Sequence, residues 1–374
     1  MGILNLFTTT IGFISGLTNF GLSTSSIKNV ALASASGDSN KVGLIIGVLK
    51  KLLWATGILG MVLTIILSPL LSKMVFGNGE YKLGFIWVSL SLLFQQLGSG
   101  KLVILQGLRK LKYLAKANLF GASVGLLITI PLYYLWRIDG VVPVIIISSL
   151  ISMLVAHKYA AKCKVPSIQV KNEDIIREGK DMLNMGFMIN LNGLIAIGVT
   201  FLISIYIRNT GGVEQVGLYN AGFAILNSYV SMIFTAMYTD YYPRLAAVAS
   251  SNENATLLIN QEAEVAILLI APILALFIVF VNWAVILLYS RDFVAINEMI
   301  QWAALGMYFK VASWSVATIF LAKGAAKLFF WNGLAQTLYT LVLNIIGYRI
   351  MGLEGLGVSF LLSFSIECLK KLFF

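Results

Sequence analysis

Eleven runs of about twenty apolar residues follow one another with almost no chain left between them. They lie near positions 3–25, 50–73, 84–106, 115–136, 140–161, 183–207, 216–239, 265–289, 296–321, 328–349 and 355–374. A helix of about 20 residues is about 30 Å long, the thickness of a bilayer's hydrocarbon core. Inside that core each backbone polar group must find its partner within its own segment, so repeated runs of this length specify a bundle of membrane-spanning helices. Soluble domains are excluded by the residue balance: 59% of the chain is hydrophobic and 11% charged, with a mean hydropathy of +0.88. The expected fold class is therefore all-α integral membrane.

The positive charges orient the bundle. If the chain starts outside and crosses eleven times, the cytoplasmic loops collect Lys28, Lys41, Lys50, Lys51, the Arg109 to Lys116 cluster, Lys158 to Arg177, Lys180, Arg244, Lys323, Lys327, Lys370 and Lys371. The outer side receives only Lys73, Lys82, Arg137, Arg208, Arg291 and Arg349, while Lys101 and Lys310 fall at membrane depth. This asymmetry follows the positive-inside rule and places the C-terminus in the cytoplasm. The net charge of +11 is thus spent on topology and on contacts with anionic membrane lipids, and no nucleic-acid partner is expected. Met1 and Gly2 would begin outside with neither a cationic leader nor a cleavage site. One helix further upstream is accordingly expected, giving eleven membrane helices present of about twelve.

Lys162 to Asp181, reading KCKVPSIQVKNEDIIREGKD, is the only long polar stretch inside the chain. It divides the sequence into an N-terminal lobe, 1–161, with five helices, an inter-lobe loop, 162–182, and a C-terminal lobe, 183–374, with six. The two parts echo one another at a shift of 216 residues, where KNVALASASGDSN from Lys28 falls on RLAAVASSNENAT from Arg244. The RIDG at Arg137 similarly resembles the RIMG at Arg349. A repeat of six helices is even, so the copies run in the same direction through the membrane, as in transporters built from parallel repeats. The expectation is a two-lobe helical bundle with parallel six-helix repeats.

Two apolar runs carry a stripe of small and polar residues. Thr8, Gly12, Ser15, Asn19, Ser23 and Ser26 recur at three- and four-residue steps, and so do Asn220, Ala224, Asn227, Ser231, Thr235 and Tyr238. Such spacing puts each set on one helical face. It suits a shared water-accessible cavity, best at Asn19, Asn220 and Asn227, and equally suits close helix packing at the Ser and Thr positions.

Ionisable groups at membrane depth are costly and mark function. Lys310, in MYFKVASW, has about ten apolar residues on either side, and Lys101 lies near the centre of its run. Both are candidate contacts for an anionic substrate; snorkelling is the alternative. Lys28 and Arg244 sit at the inner ends of the striped runs and could together receive a pyrophosphate from the cytoplasm, or serve only as topology anchors. Asp240, in YTDYYPRL, is the candidate for ion coupling, with Glu367 nearer the C-terminus. His157 stands alone beside Lys158, and Cys163 and Cys368 have no metal or redox spacing. No metal, no cofactor and no catalytic residue is expected, since no P-loop, zinc motif or nucleophile elbow is present.

Three stretches, LFTTTIGFISGLTNFGLSTSSIKNVA from Leu6, GLYNAGFAILNSYVSMIFTAMYTDYYPRLAAV from Gly217 and MYFKVASWSVATIFLAKGAAKLFFWNGLAQ from Met307, resemble the Wzx-type O-antigen and polysaccharide translocases of the multidrug/oligosaccharidyl-lipid/polysaccharide (MOP) exporter superfamily. The resemblance implies a V-shaped two-lobe bundle in a bacterial inner membrane, whose central cationic cavity alternates between faces. Its implied cargo is an undecaprenyl-pyrophosphate-linked oligosaccharide, and its implied partners are a polysaccharide polymerase and a chain-length regulator. Lys28, Arg244 and Lys310 resemble cavity cations of the family by position; Lys101 has no counterpart. Rival readings are a cation-coupled small-molecule or multidrug antiporter of the same superfamily, a membrane-bound polysaccharide polymerase, against which the short outer loops weigh, and a non-transporting scaffold.

Overall fold

The computed structural model describes residues 2–136 and 139–372. Met1, Arg137 and the last two residues of the eleventh apolar run lie outside them, so the outer-loop and repeat assignments of Arg137 do too. The described residues form helices α1 (Gly2–Thr18), α2 (Leu22–Ala35), α3 (Ser39–Phe76), α4 (Lys82–Gly107), α5 (Leu111–Trp136), α6 (Val141–Ala160), α7 (Asn172–Val248), α8 (Asn252–Leu288), α9 (Asn297–Ala322), α10 (Ala326–Met351) and α11 (Leu353–Leu372). Two short 3-10 turns, Ala161–Cys163 and Arg291–Ile296, complete them. The helices are those the apolar runs demand, with two departures.

The first run is not one helix. Phe20 (φ 47°) and Gly21 (φ 61°) adopt left-handed backbone one after the other, which ends α1 and sends α2 off in a new direction. The sixth and seventh runs remain separate helices within α7, divided at Gly212, whose backbone (φ 89°, ψ 174°) is not helical. The polar stretch from Lys162 is also shorter as a loop than expected, because its second half, from Asn172, is the first part of α7.

By length and apolar composition, seven of the described helices can cross a membrane: α3, α4, α5, α6, α7, α8 and α9. α1 is shortened by the break, while α10 and α11 carry polar and charged residues such as Asn332, Asn344, Glu354 and Glu367. The solvent these helices meet is apolar. Leu127 and Ile130 of α5 are 70% and 64% exposed, and Leu268 and Val279 of α8 are 67% and 73% exposed. Apolar surface on this scale belongs in lipid.

Two compact units make up the chain, Met1–Asn190 and Leu191–Phe374. They part within α7, not in the polar stretch, so the first turns of α7 belong to the N-terminal unit. Within each unit the same plan recurs. α4 and α9 both have 26 residues, as do α5 and α10, and α6 and α11 both have 20. α4 packs on α3 and α6, and α9 packs correspondingly on α8 and α11. The turn preceding this four-helix plan is also repeated: Asp38 caps α3 by accepting from the Asn40 N–H at 2.8 Å, and Ser251 caps α8 by accepting from the Asn254 N–H at 3.4 Å.

The core of the first unit is built on Phe7, Ile11 and Ile14 of α1 against Phe85, Val88 and Leu92 of α4. In the second, Ile203, Ile207 and Leu226 of α7 meet Ile270 of α8 and Ile300, Ala303 and Met307 of α9.

Candidate functional site

The two polar stripes have opposite fates. In the first, the break falls at Asn19, whose side-chain oxygen accepts the Gly21 N–H at 2.7 Å and the Asn190 amide at 3.0 Å. Asn190 also donates to the Gly16 carbonyl at 2.8 Å. Gly21 and Gly186 of α7 bring their backbones together so closely that a Cβ on either would strike the other segment. Here the Asn supplies the groups that an interrupted helix loses, which hydrocarbon would leave unpaired. Asn19, favoured by sequence as a cavity residue, is engaged in holding this break. Further along the stripe Ser26 is fully buried, whereas Thr8 and Gly12 at the other end are exposed.

The second stripe is continuous. Asn220, Ala224, Asn227, Ser231 and Thr235 are all exposed along one face of α7 beyond Gly212. Thr235 turns its hydroxyl onto the Ser231 carbonyl at 2.8 Å, and Tyr238 stacks on Tyr242 with ring centroids 5.0 Å apart. A row of exposed amides is expensive against lipid, so this face calls for water or a polar ligand.

The predicted cations differ as much. Lys28 of α2 is nearly buried and donates to Asp181 Oδ2 at 2.9 Å, an oxygen that Asn29 also reaches at 3.2 Å. Arg244 pairs with Asp240 one turn earlier at 3.5 Å, and Glu262 of α8 lies within electrostatic reach of both. Each member of the proposed pyrophosphate pair thus has a carboxylate of its own, and Asp240 is an ion-pair partner as well as the coupling candidate.

Lys310 has no such partner among the described residues. Its ammonium lies 5.8 Å from the ring centre of Phe234, 5.7 Å from Phe360 and 5.4 Å from Phe364. Aromatic faces attract a desolvated cation by about 2 kcal/mol, offsetting much of the roughly 3 kcal/mol cost of a lysine at the centre of a membrane helix. They leave its hydrogen-bonding capacity unused and its charge uncompensated. Phe234 lies two turns beyond Asn227 on α7, so the Lys310 ammonium, carried by α9, rests against the helix that exposes the amides. Lys101 lies elsewhere, lining a cavity of about 340 Å³ with Lys50 and His157.

Two concave features accompany these groups in the N-terminal unit. A cavity of about 540 Å³ is lined by Thr8, Gln95, Ser99, Thr129, Ser148 and Ser152 together with apolar side chains, and by no carboxylate. A wider groove of about 750 Å³ runs beside the helix break, walled by Phe20, Leu52, Leu59, Ile176 and Phe187 with Lys180 and Asn184. Sequence reading missed the hydroxyl-lined cavity, although Ser148 and Ser152 are spaced by one turn. It also missed Asp181, at the edge of the polar stretch, and Glu262, hidden in a helix whose apolar residues dominate. The phenylalanines around Lys310 come from two helices and carry no signal along the chain.

A multi-pass helical bundle with this plan shares its fold with solved membrane transporters. Among solved structures it is similar to an outward-facing multidrug resistance MATE family transporter (TM-score 0.83, 12% identity, covering 99% of this chain and 85% of that one). It is also similar to a MOP superfamily transporter from Pyrococcus furiosus described as having a binding pocket of reversed polarity (TM-score 0.83, 14% identity, covering 100% and 86%). A variant of a Vibrio cholerae MATE transporter matches at TM-score 0.83 and 14% identity, covering 99% and 86%. A search of curated proteins returns no match. Residues 1–298 match the family described as polysaccharide biosynthesis protein, and the chain belongs to that family.

Proposed function

We propose that the protein is a flippase that carries an undecaprenyl-pyrophosphate-linked oligosaccharide, of the O-antigen or a related polysaccharide, from the cytoplasmic to the outer leaflet of a bacterial inner membrane. The observation that carries this reading is Lys310, a cation with no carboxylate partner among the described residues, held against Phe234 of the helix that exposes Asn220 and Asn227. A pyrophosphate cannot cross hydrocarbon alone, and a cation already neutralised by an acid has little to offer it. Lys310 meets the requirement, while Lys28 and Arg244 hold their charges against Asp181 and Asp240.

The sugar part of the cargo has a matching surface. Sugar hydroxyls suit the exposed amides Asn220 and Asn227, which lie in the same unit as Lys310. The 540 Å³ cavity has no carboxylate to attract an organic cation, which weighs against the multidrug antiporter. Alternating access, by rocking of repeat units about the cargo, supplies the transport step without covalent chemistry.

The test is reconstitution into liposomes with two cargoes supplied in parallel. Outward movement of a fluorescent lipid-pyrophosphate oligosaccharide, scored by its accessibility to an external reagent, is the expected result. Proton-driven export of an organic cation, with no movement of the lipid-linked sugar, would replace this reading by the antiporter.

A further inference from the structure

Lys101, Lys50 and His157 come from three different helices, α4, α3 and α6, yet line one cavity of about 340 Å³. The close approach of α3 and α4 brings them together: Gly100 leaves no room for a Cβ, which would run into Leu53. Lys101 is half-buried, whereas Lys50 and His157 are exposed. None of the three has a hydrogen bond or ion pair with a carboxylate among the described residues, and Lys50 and Lys101 repel one another. No acidic side chain lines the cavity. Two like charges lining one recess that no acidic side chain shares favour an anion there.

The remaining walls indicate what kind. Leu53 and Trp54 of α3, Leu97 and Ile104 of α4, and Met153 and Leu154 of α6 are apolar, and Trp54 and Leu154 are 51% and 53% exposed on the surface of the unit. Lys101 stands six residues before the end of α4 and His157 three before the end of α6. At 1.5 Å per residue these groups lie within about 10 Å of their helix ends. Those ends lead into the basic segments at Arg109 and Lys162, the side that the charge asymmetry assigns to the cytoplasm. A basic recess near a helix end with apolar walls matches an anionic headgroup above a hydrocarbon chain.

We propose that this cavity is a binding site for the phosphate of an anionic membrane lipid. Lys101 and Lys50 meet the phosphoryl oxygens with charge-assisted hydrogen bonds, His157 adds a third donor or a water-bridged contact, and the chain lies along Trp54 and Leu154. The site is separate from Lys310 and stands or falls independently of the cargo.

The experiment is native mass spectrometry of the full chain released from detergent micelles, titrated with phosphatidylglycerol. Wild-type protein should retain one tightly bound phosphatidylglycerol and discriminate against phosphatidylcholine, whose choline cation meets the lysines. Lys101→Met, which replaces a half-buried charge by an apolar chain of similar length, should weaken that binding about tenfold, the effect of losing one charged hydrogen bond. Lys50→Gln, at an exposed position, should act in the same direction and decides the matter alone if Lys101→Met does not fold. Unchanged affinity in the folded variants would overturn the proposal. So would inorganic pyrophosphate binding as tightly as the lipid, because the site would then serve a soluble anion.

Discussion

The striped helix near the N-terminus and its counterpart beyond Gly212 have nearly the same residue spacing but are used differently. The first is broken at Gly21 and clasped by Gly186 and Asn190; the second runs on and exposes Asn220 and Asn227. The cations at their inner ends stay alike, Lys28 paired with Asp181 and Arg244 with Asp240, whereas Lys310 of α9 stands among phenylalanines. A duplicated pattern of polar residues therefore specifies which helical face is special, and the neighbours decide whether that face is structural or available to a ligand.

The sharpest way to break the comparison is at the clasp. Gly186→Leu drives a side chain into the Phe20 carbonyl and should cost about 3 kcal/mol, whereas Ala224→Leu on the exposed stripe should fall within about 0.5 kcal/mol of wild type. Thermal unfolding in detergent separates these, and equal melting temperatures would dissolve the distinction. Next come the cations. Lys28→Met leaves the half-exposed Asp181 without its partner and should destabilise by about 1–2 kcal/mol, with a double-mutant cycle against Asp181→Asn recovering about 1 kcal/mol of coupling. Lys310→Met, which removes a charge that no acid balances, should leave stability unchanged or raise it by about 1 kcal/mol. A destabilisation like that of Lys28→Met would place Lys310 among the structural groups.

A smaller contrast lies in the asparagines. Asn19→Ala removes two hydrogen bonds at the break and should cost about 1 kcal/mol, while Asn220→Ala and Asn227→Ala should be silent in stability. In the same experiment Asn227→Cys should react with a membrane-impermeant maleimide and Asn19→Cys should not. Equal labelling would show that spacing, after all, governs exposure.

Much of the fold was legible because helix length and apolar content are local properties. Each run from α3 to α6 and from α8 to α11 could be placed without knowing its neighbours, and the repeat was visible in the loop residues from Lys28 and Arg244. The break at Phe20 and Gly21 was not, since apolar residues continue through it and its cause, the backbone of Gly186, is far away in sequence. For the same reason the division within α7 escaped a reading that took polarity at Lys162 as the boundary. Among candidate site residues, Lys310 was conspicuous because a lone charge in an apolar run has no local explanation. Asp181 and Glu262 could not be assigned as partners, because pairing across helices leaves no mark on either helix alone.

The most direct test of the account is lipid-linked oligosaccharide transport in proteoliposomes by Lys310→Met and Lys310→Arg, with melting temperatures measured on the same preparations. The account predicts that the methionine variant is as stable as wild type and transports less than about a tenth as fast, as expected for loss of one charge-assisted contact, while the arginine variant keeps substantial transport. Wild-type transport by a folded Lys310→Met protein would contradict it.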